Sequence, residues 1–291
     1  MAEHWSWEAR ERSRDRGSGS RSGDSHSWRG NNWAGWASGG WESSGNDWTS
    51  SDWESGAAVG CRTLTVKQFQ EWAKDVPFDQ RAHLKGFGGW MQIECCEVNA
   101  LQRLAQFKLL VWDGDRYNAD GFTAFVPKFL HEYPEGRAVA FKLSQDVPRF
   151  QREWNETLSP FFDRVAVVSV DMETDCGNYP QLRDELARVP EFAQKYFQLG
   201  RLAIFVTGAK YVLALGGGGI AAHEAQASVT NTSSDGVHWA VFAMSRGSKE
   251  ENPSLMDWAA ACKHPQVELV TGYDPAEAEA FSGDAPGSVP R

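Results

Sequence analysis

KYVLALGGGGIAAHEAQA, residues 210–227, is the stretch on which the reading of the fold turns. Tyr211 to Leu215 is a short apolar run of strand type, four glycines follow, and the residues from Ile220 onward have the composition of a helix. A strand that enters a helix through glycines is the repeating unit of an α/β domain. The same alternation extends in both directions. Upstream, strand-like KLLVWDGD (108–115), RAVAFKL (137–143) and RVAVVSVDM (164–172) are separated by helical stretches near 120–133 and 147–158. Helical PQLRDELARV (180–189) and a longer helix from about Glu191 lead to the glycines. The segment RLAIFVTGAK (201–210) reads as the end of that long helix, closed by Gly208 in a left-handed cap, in preference to a strand. Downstream come HWAVFAMSR (238–246), a helix around SLMDWAAACK (254–263) and VELVTG (267–272). The expectation is a Rossmann-like three-layer α/β domain with a mostly parallel sheet covered on both faces.

The domain has boundaries in composition. Residues 1–60 are rich in Ser, Gly, Arg, Asp, Glu and Trp with almost no Leu, Ile or Val, so they cannot bury enough apolar area to offset the entropy of ordering. They are expected to be a disordered tail. The folded part spans 61–275, read as a helical lead-in over 61–107 and alternating strands and helices over 108–275, with a flexible tail at 276–291. Thr65 is placed to cap the first helix, and Gly86 to Trp90 are read as a turn.

Composition excludes several classes. With a formal net charge of −10, the 291-residue chain is a poor general binder of nucleic acid, and only the Arg/Ser tract RERSRDRGSGSRSG (10–23) offers weak phosphate contacts. The five cysteines are scattered without a CxxC pair or matching histidines, which argues against a disulfide framework or a structural zinc site. No run reaches the roughly 18 apolar residues of a membrane helix. A cytoplasmic protein is the expectation, with the nucleus left open.

In a doubly wound domain the C-terminal ends of the strands share one edge, where ligands bind. The strand ends place there Asp113 and Asp115, Asp171 and Glu173, Gly216, Gly217, Gly218 and Gly219, and Ser245 and Arg246. Glycines let backbone N–H groups approach an anion, and the following helix adds the positive end of its dipole. The loop therefore reads as a cradle for a small phosphorylated ligand, with Ser245 and Arg246 as further phosphate contacts. A base at Arg246 suits the 2′-phosphate of NADP. The alternative is a tight strand-to-helix turn with no ligand.

The glycine loop resembles that of the Rossmann-like phosphoribohydrolases that release cytokinin bases from nucleotides, whose motif is Pro-Gly-Gly-x-Gly-Thr-x-x-Glu. LGGGGIAAHE aligns Gly216, Gly217 and Gly219 with the phosphate-holding glycines, while Leu215 and Ile220 replace Pro and Thr. Glu224 comes one residue late and His223 takes its place. The resemblance implies a nucleotide or phosphosugar hydrolase with Glu224 in a catalytic role. The first strand, LLVWDGD, resembles motif I of haloacid-dehalogenase-like phosphatases. That resemblance implies Asp113 as nucleophile, Asp115 as general acid, and Mg²⁺ held by Asp113 and Asp115 with the help of Asp171 or Glu173. Arg116 and Tyr117 stand where that family has Gly-Thr.

The tail supports a different class of function. Eight of the fourteen tryptophans precede residue 60, and Trp36, Trp41, Trp48 and Trp53 stand among Gly, Ser, Asn and acidic residues. This segment resembles the GW-repeat hooks that bind Argonaute proteins, which implies a non-enzymatic adaptor that captures a protein partner through several rings at once.

Overall fold

The computed structural model describes residues 61–86, 96–113, 121–230, 236–243 and 254–271. Eight parallel strands form one sheet: β1 (Arg62–Leu64), β2 (Arg81–Gly86), β3 (Leu109–Trp112), β4 (Arg137–Leu143), β5 (Val165–Val170), β6 (Tyr211–Leu215), β7 (His238–Phe242) and β8 (Val267–Val270), in the order β1-β5-β4-β3-β2-β6-β7-β8. The helices are α1 (Val66–Trp72), α2 (Glu97–Leu104), α3 (Phe125–Glu132), α4 (Val147–Leu158), α5 (Met172–Gly177), α6 (Pro180–Leu186), α7 (Glu191–Thr207), α8 (Gly219–Thr230) and α9 (Ser254–Ala261). This is the expected α/β fold with a parallel sheet between helical layers.

From β2 the chain steps outward strand by strand to β5, and then crosses back to lay β6 on the other side of β2. The direction of winding therefore reverses between β2 and β6, whose register pairs Lys85 with Ala214 and Gly86 with Leu215. In open α/β sheets a reversal of this kind is where ligands bind, because the connections on either side lead away from it.

Because successive strand residues point to opposite faces, each strand feeds two cores. Ala82, Leu84, Leu110, Trp112, Leu213 and Phe242 face α2, α3 and α4, where Trp112, Phe150 and Trp154 pack ring against ring with centroids 5.3–6.2 Å apart. Val111, Val139, Phe141 and Val168 face α1, α6 and α7, and Val212, Ala214 and Val241 face α7, α8 and α9. Between these last two clusters β2 turns Arg81, His83 and Lys85 inward, all three buried.

The span 61–107, expected as a helical lead-in, holds β1 and β2 as well as α1 and α2. Arg, His and Lys at alternate positions hide β2 from a pattern search, since a strand covered on both faces normally reads as a continuous apolar run. Thr65 does cap α1: its hydroxyl accepts from the Gln68 N–H at 3.2 Å and the Gln68 side chain accepts from the Thr65 N–H at 2.9 Å. RLAIFVT is helical, and α7 ends in a left-handed Gly208 with φ 59°. Arg81 donates to the Ala73, Val76 and Thr207 carbonyls, tying the ends of α1 and α7 to the start of β2. Among the described residues no helix is long and apolar enough to cross a membrane.

Gly208 needs its missing side chain for φ alone, because the nearby Phe78 ring is exposed and can swing aside. Gly208→Ala should cost about 1–2 kcal/mol in urea unfolding. Gly177→Ala, with no atom within 4 Å of the added methyl and no left-handed backbone, should be neutral or mildly stabilising. Equal losses at both positions would show that the left-handed cap is not what stops α7.

Candidate active site

Three ionisable side chains meet at the reversal point. Lys85 reaches up from the end of β2, Asp113 follows β3, and Glu224 stands on the second turn of α8. The Lys85 ammonium donates to Asp113 Oδ2 at 2.7 Å and lies 2.7 Å from Glu224 Oε2. The second contact is close but lacks hydrogen-bond alignment. His83, one step back on β2 and wholly buried, sets Nε2 3.5 Å from Asp113 Oδ1.

Above the cluster lies Gly200, in the middle of α7. A methyl group there would sit 2.2 Å from Glu224 Oε1, 2.4 Å from Lys85 Nζ and 2.6 Å from Asp113 Oδ2. Only glycine lets α7 close over the three charges. The next residue, Arg201, is fully buried and forms a separate group, with a two-pronged pair to Glu185 at 2.7 and 2.8 Å and a bond to Ser228 Oγ at 2.7 Å. Ser228 in turn donates to the Glu224 carbonyl, so α6, α7 and α8 are locked around the cluster.

Burial and charge divide the protons among these groups. Burial alone would lower the Lys85 pKa, but the Asp113 and Glu224 carboxylates outweigh it and hold the ammonium charged. Burial works to raise Asp113, yet Lys85 and His83 overcome it and keep that carboxyl well below the usual range. Glu224 goes the other way: burial, opposed by Lys85 and reinforced by the Asp113 charge, pushes it up to about 7. Burial and then the Lys85 charge hold His83 down at about 4, neutral at pH 7. One ammonium and one carboxylate thus cancel, and Glu224 carries the remaining exchangeable proton. Exposure separates the two acids as well, with the Asp113 side chain 11% accessible and Glu224 2%.

The glycines divide into two pairs. Gly216 and Gly217 have φ of 63° and 145°, and a methyl on Gly217 would strike Leu255 Cδ2 at 2.6 Å, so the first pair makes the turn. Gly216 N–H donates to Phe242 O and Gly217 O accepts from Leu255 N–H, which ties the turn to β7 and α9. Gly218 and Gly219 have no atom within 4 Å of an added methyl. They open α8, with Ala222 N–H bonded to Gly218 O at 3.1 Å, and the N–H groups of its first turn have no carbonyl partner within the helix.

Sequence reasoning named Asp113, Glu224 and the four glycines; the fold brings the two acids together at Lys85, and Gly219 opens the helix that carries Glu224. It missed Lys85, His83 and Gly200. An isolated glycine within a helical pattern is a signal for the last, since it weakens a helix unless packing requires it. Asp171 stands at the end of β5, two strands from β3, and its carboxylate accepts from Thr174 N–H at the start of α5. Among the described residues no group of three or more His, Cys, Asp or Glu is arranged to hold a metal ion. The Lys85 ammonium occupies the position between Asp113 and Glu224 that a cation would take. Asp115, Ser245, Arg246, Trp36, Trp41, Trp48 and Trp53 lie outside the described residues.

No family model matches the chain, and no curated protein matches it. Two solved structures show a slight likeness. (S)-3-O-geranylgeranylglyceryl phosphate synthase from Thermoplasma acidophilum, in complex with sn-glycerol-1-phosphate, is 10% identical over 72% of this chain and 90% of its own, with a TM-score of 0.21. Wild-type GGGPS from Thermoplasma volcanium is 14% identical over 75% and 94%, also at 0.21. A TM-score of that size is below what a shared fold gives.

Because Glu224 is raised from 4.5 to about 7 in the fold, the native state binds more protons than the unfolded chain between those values. Its contribution to stability is complete below pH 4.5 and is lost as the pH rises through 7. The stability difference between wild type and Glu224→Gln, from urea unfolding at a series of pH values, should fall over that window and flatten above it. A difference constant with pH would refute the proton assignment. Gly200→Ala should cost about 3 kcal/mol, because its methyl cannot avoid all three charged atoms; a cost below about 1 kcal/mol would mean that α7 does not close on the cluster.

Proposed function

We propose that the protein binds a nucleotide or phosphosugar at this edge and hydrolyses its glycosidic bond. The observation that carries the reading is the buried Lys85–Asp113–Glu224 cluster, joined through α8 to the open glycines at its start. Gly218 and Gly219 would receive the phosphate on the free N–H groups of the first turn of α8. Glu224, five residues on, hangs from the same helix.

Two carboxyl groups pushed in opposite directions are the arrangement that glycosidic hydrolysis uses. Both contact one nitrogen at 2.7 Å, so their facing oxygens lie no farther apart than the about 5.5 Å typical of a carboxylate pair acting together. Asp113, ionised and the more exposed, would face the positive charge that develops on the sugar carbon. Glu224 would give its proton to the leaving group as the carbon–heteroatom bond breaks. Water adds its hydroxyl to the carbon, and its proton restores Glu224. Lys85 keeps Asp113 ionised throughout. Phosphoryl transfer fits less well, since the site between the acids is filled by an ammonium and a divalent cation would have to displace it.

Gly218→Asp tests the cradle, because the added side chain enters open space and sets a carboxylate where the phosphate would sit. Full-length protein should gain thermal stability with nucleoside monophosphates or sugar phosphates, and Gly218→Asp should fold normally yet lose the gain. Asp113→Asn and Glu224→Gln should keep the shift and lower release of the base or free sugar by about a hundredfold or more. A shift retained by Gly218→Asp would rule out the cradle, and turnover unchanged in both acid variants would rule out the chemistry.

A further inference from the structure

His83 is the member of the cluster that has no part in the chemistry above. It precedes Lys85 by one inward-facing position on β2, so the two side chains leave the same face of the strand about 7 Å apart. The ring is wholly buried, and among the described residues neither of its nitrogens has an aligned hydrogen-bond partner. Buried polar groups are paired as a rule, and an exception calls for an explanation at the site where it stands. Nε2 lies 3.5 Å from Asp113 Oδ1, at the outer limit of a hydrogen bond.

Asp113 has a use for a second donor. The terminal torsion of an aspartate is broad, and a carboxylate held at one oxygen still swings about its Cβ–Cγ bond. The Lys85 ammonium takes Oδ2 at 2.7 Å and leaves Oδ1 to the side from which His83 approaches. A carboxylate has about four lone-pair sites, so two donors fix its plane and still leave room for a substrate. Stabilising a charge that develops on the sugar carbon depends on the carboxylate being held in place beforehand. Histidine suits the task because it brings an N–H without a charge. Burial and the Lys85 ammonium keep the ring neutral at pH 7. A second cation here would favour the ionised form of Glu224 and strip the proton it must donate.

We propose that His83 is a positioning residue for the hydrolysis, its Nε2–H donating to Asp113 Oδ1 so that, with Lys85 on Oδ2, the carboxylate keeps one orientation toward the sugar carbon. This rests on the hydrolytic reading above. Hydrogen bonds of this kind are often long in the free enzyme and tighten in the complex, which is the change expected at the 3.5 Å contact.

Nitrogen NMR of isotope-labelled histidine in the full-length chain reads the ring directly, with His83→Gln to assign its signals. At neutral pH the His83 proton should sit on Nε2, and Asp113→Asn should shift that resonance. A proton on Nδ1, or a resonance indifferent to Asp113→Asn, would overturn the proposal whether or not the protein turns over a nucleotide. Release of the base from AMP, GMP, CMP or UMP gives the second readout. His83→Met should lower kcat about tenfold or more and leave KM within about twofold, because the phosphate is held elsewhere. His83→Gln, whose amide nitrogen reaches the place of Nε2, should recover most of the loss. A loss that His83→Gln does not recover, or a rise in KM equal to the fall in kcat, would show a packing role and overturn the proposal. A wild-type chain that releases no base would overturn the hydrolytic reading and the part of His83 in it together, even with the proton found on Nε2.

Discussion

The placement of one ammonium constrains this fold. Lys85 lies on a central strand of an eight-stranded sheet, and burying its charge is tolerable because two acids, Asp113 ionised and Glu224 beside it, arrive from different elements. Asp113 is fixed by the register of β3 on β2, and Glu224 by the phase of α8. α7 must lose a side chain at position 200 to fit above them. Each requirement concerns a separate stretch of chain, so the cluster specifies how β2, β3, α7 and α8 come together. The Arg201–Glu185–Ser228 group reinforces this one residue later, and Arg81 does the same at the opposite end of β2.

The α/β class was legible because most of the strands are apolar runs bounded by turn residues, and the long helix was legible to its cap at Gly208. β2 was not. Its inward residues are Arg81, His83 and Lys85, whose partners are carbonyls and carboxylates distant in sequence, so nothing local marks the strand as buried. β1, three residues long and paired with β5 about a hundred positions on, gives even less local signal. With β2 absent from the reading, the point where winding reverses was absent too, since it is defined by β2 and β6.

The site was legible in its acids and not in its base. Strand ends gave Asp113, and the helix after the glycines gave Glu224, but the relation between them depends on Lys85. The phase of α8 explains why Glu224 faces inward although an alignment on the glycines set His223 in that register. A shift of one residue turns a side chain by about 100°, and the helix that starts at Gly219 buries Glu224 while leaving His223 only partly covered.

A resident ammonium differs from a metal ion in what it demands of the acids around it. A divalent cation neutralises two carboxylates and leaves neither with a proton; a single ammonium neutralises one. The second acid must then hold a proton or remain as an uncompensated buried charge, and burial drives it toward the proton. The exchangeable proton on Glu224 near neutral pH therefore follows from the choice of lysine at position 85. The arrangement that lets β2 bury its charge also leaves a carboxyl able to give and regain a proton. In this protein the cohesion of the sheet and the acid–base capacity of its edge draw on the same three side chains, so substitutions there should alter both together.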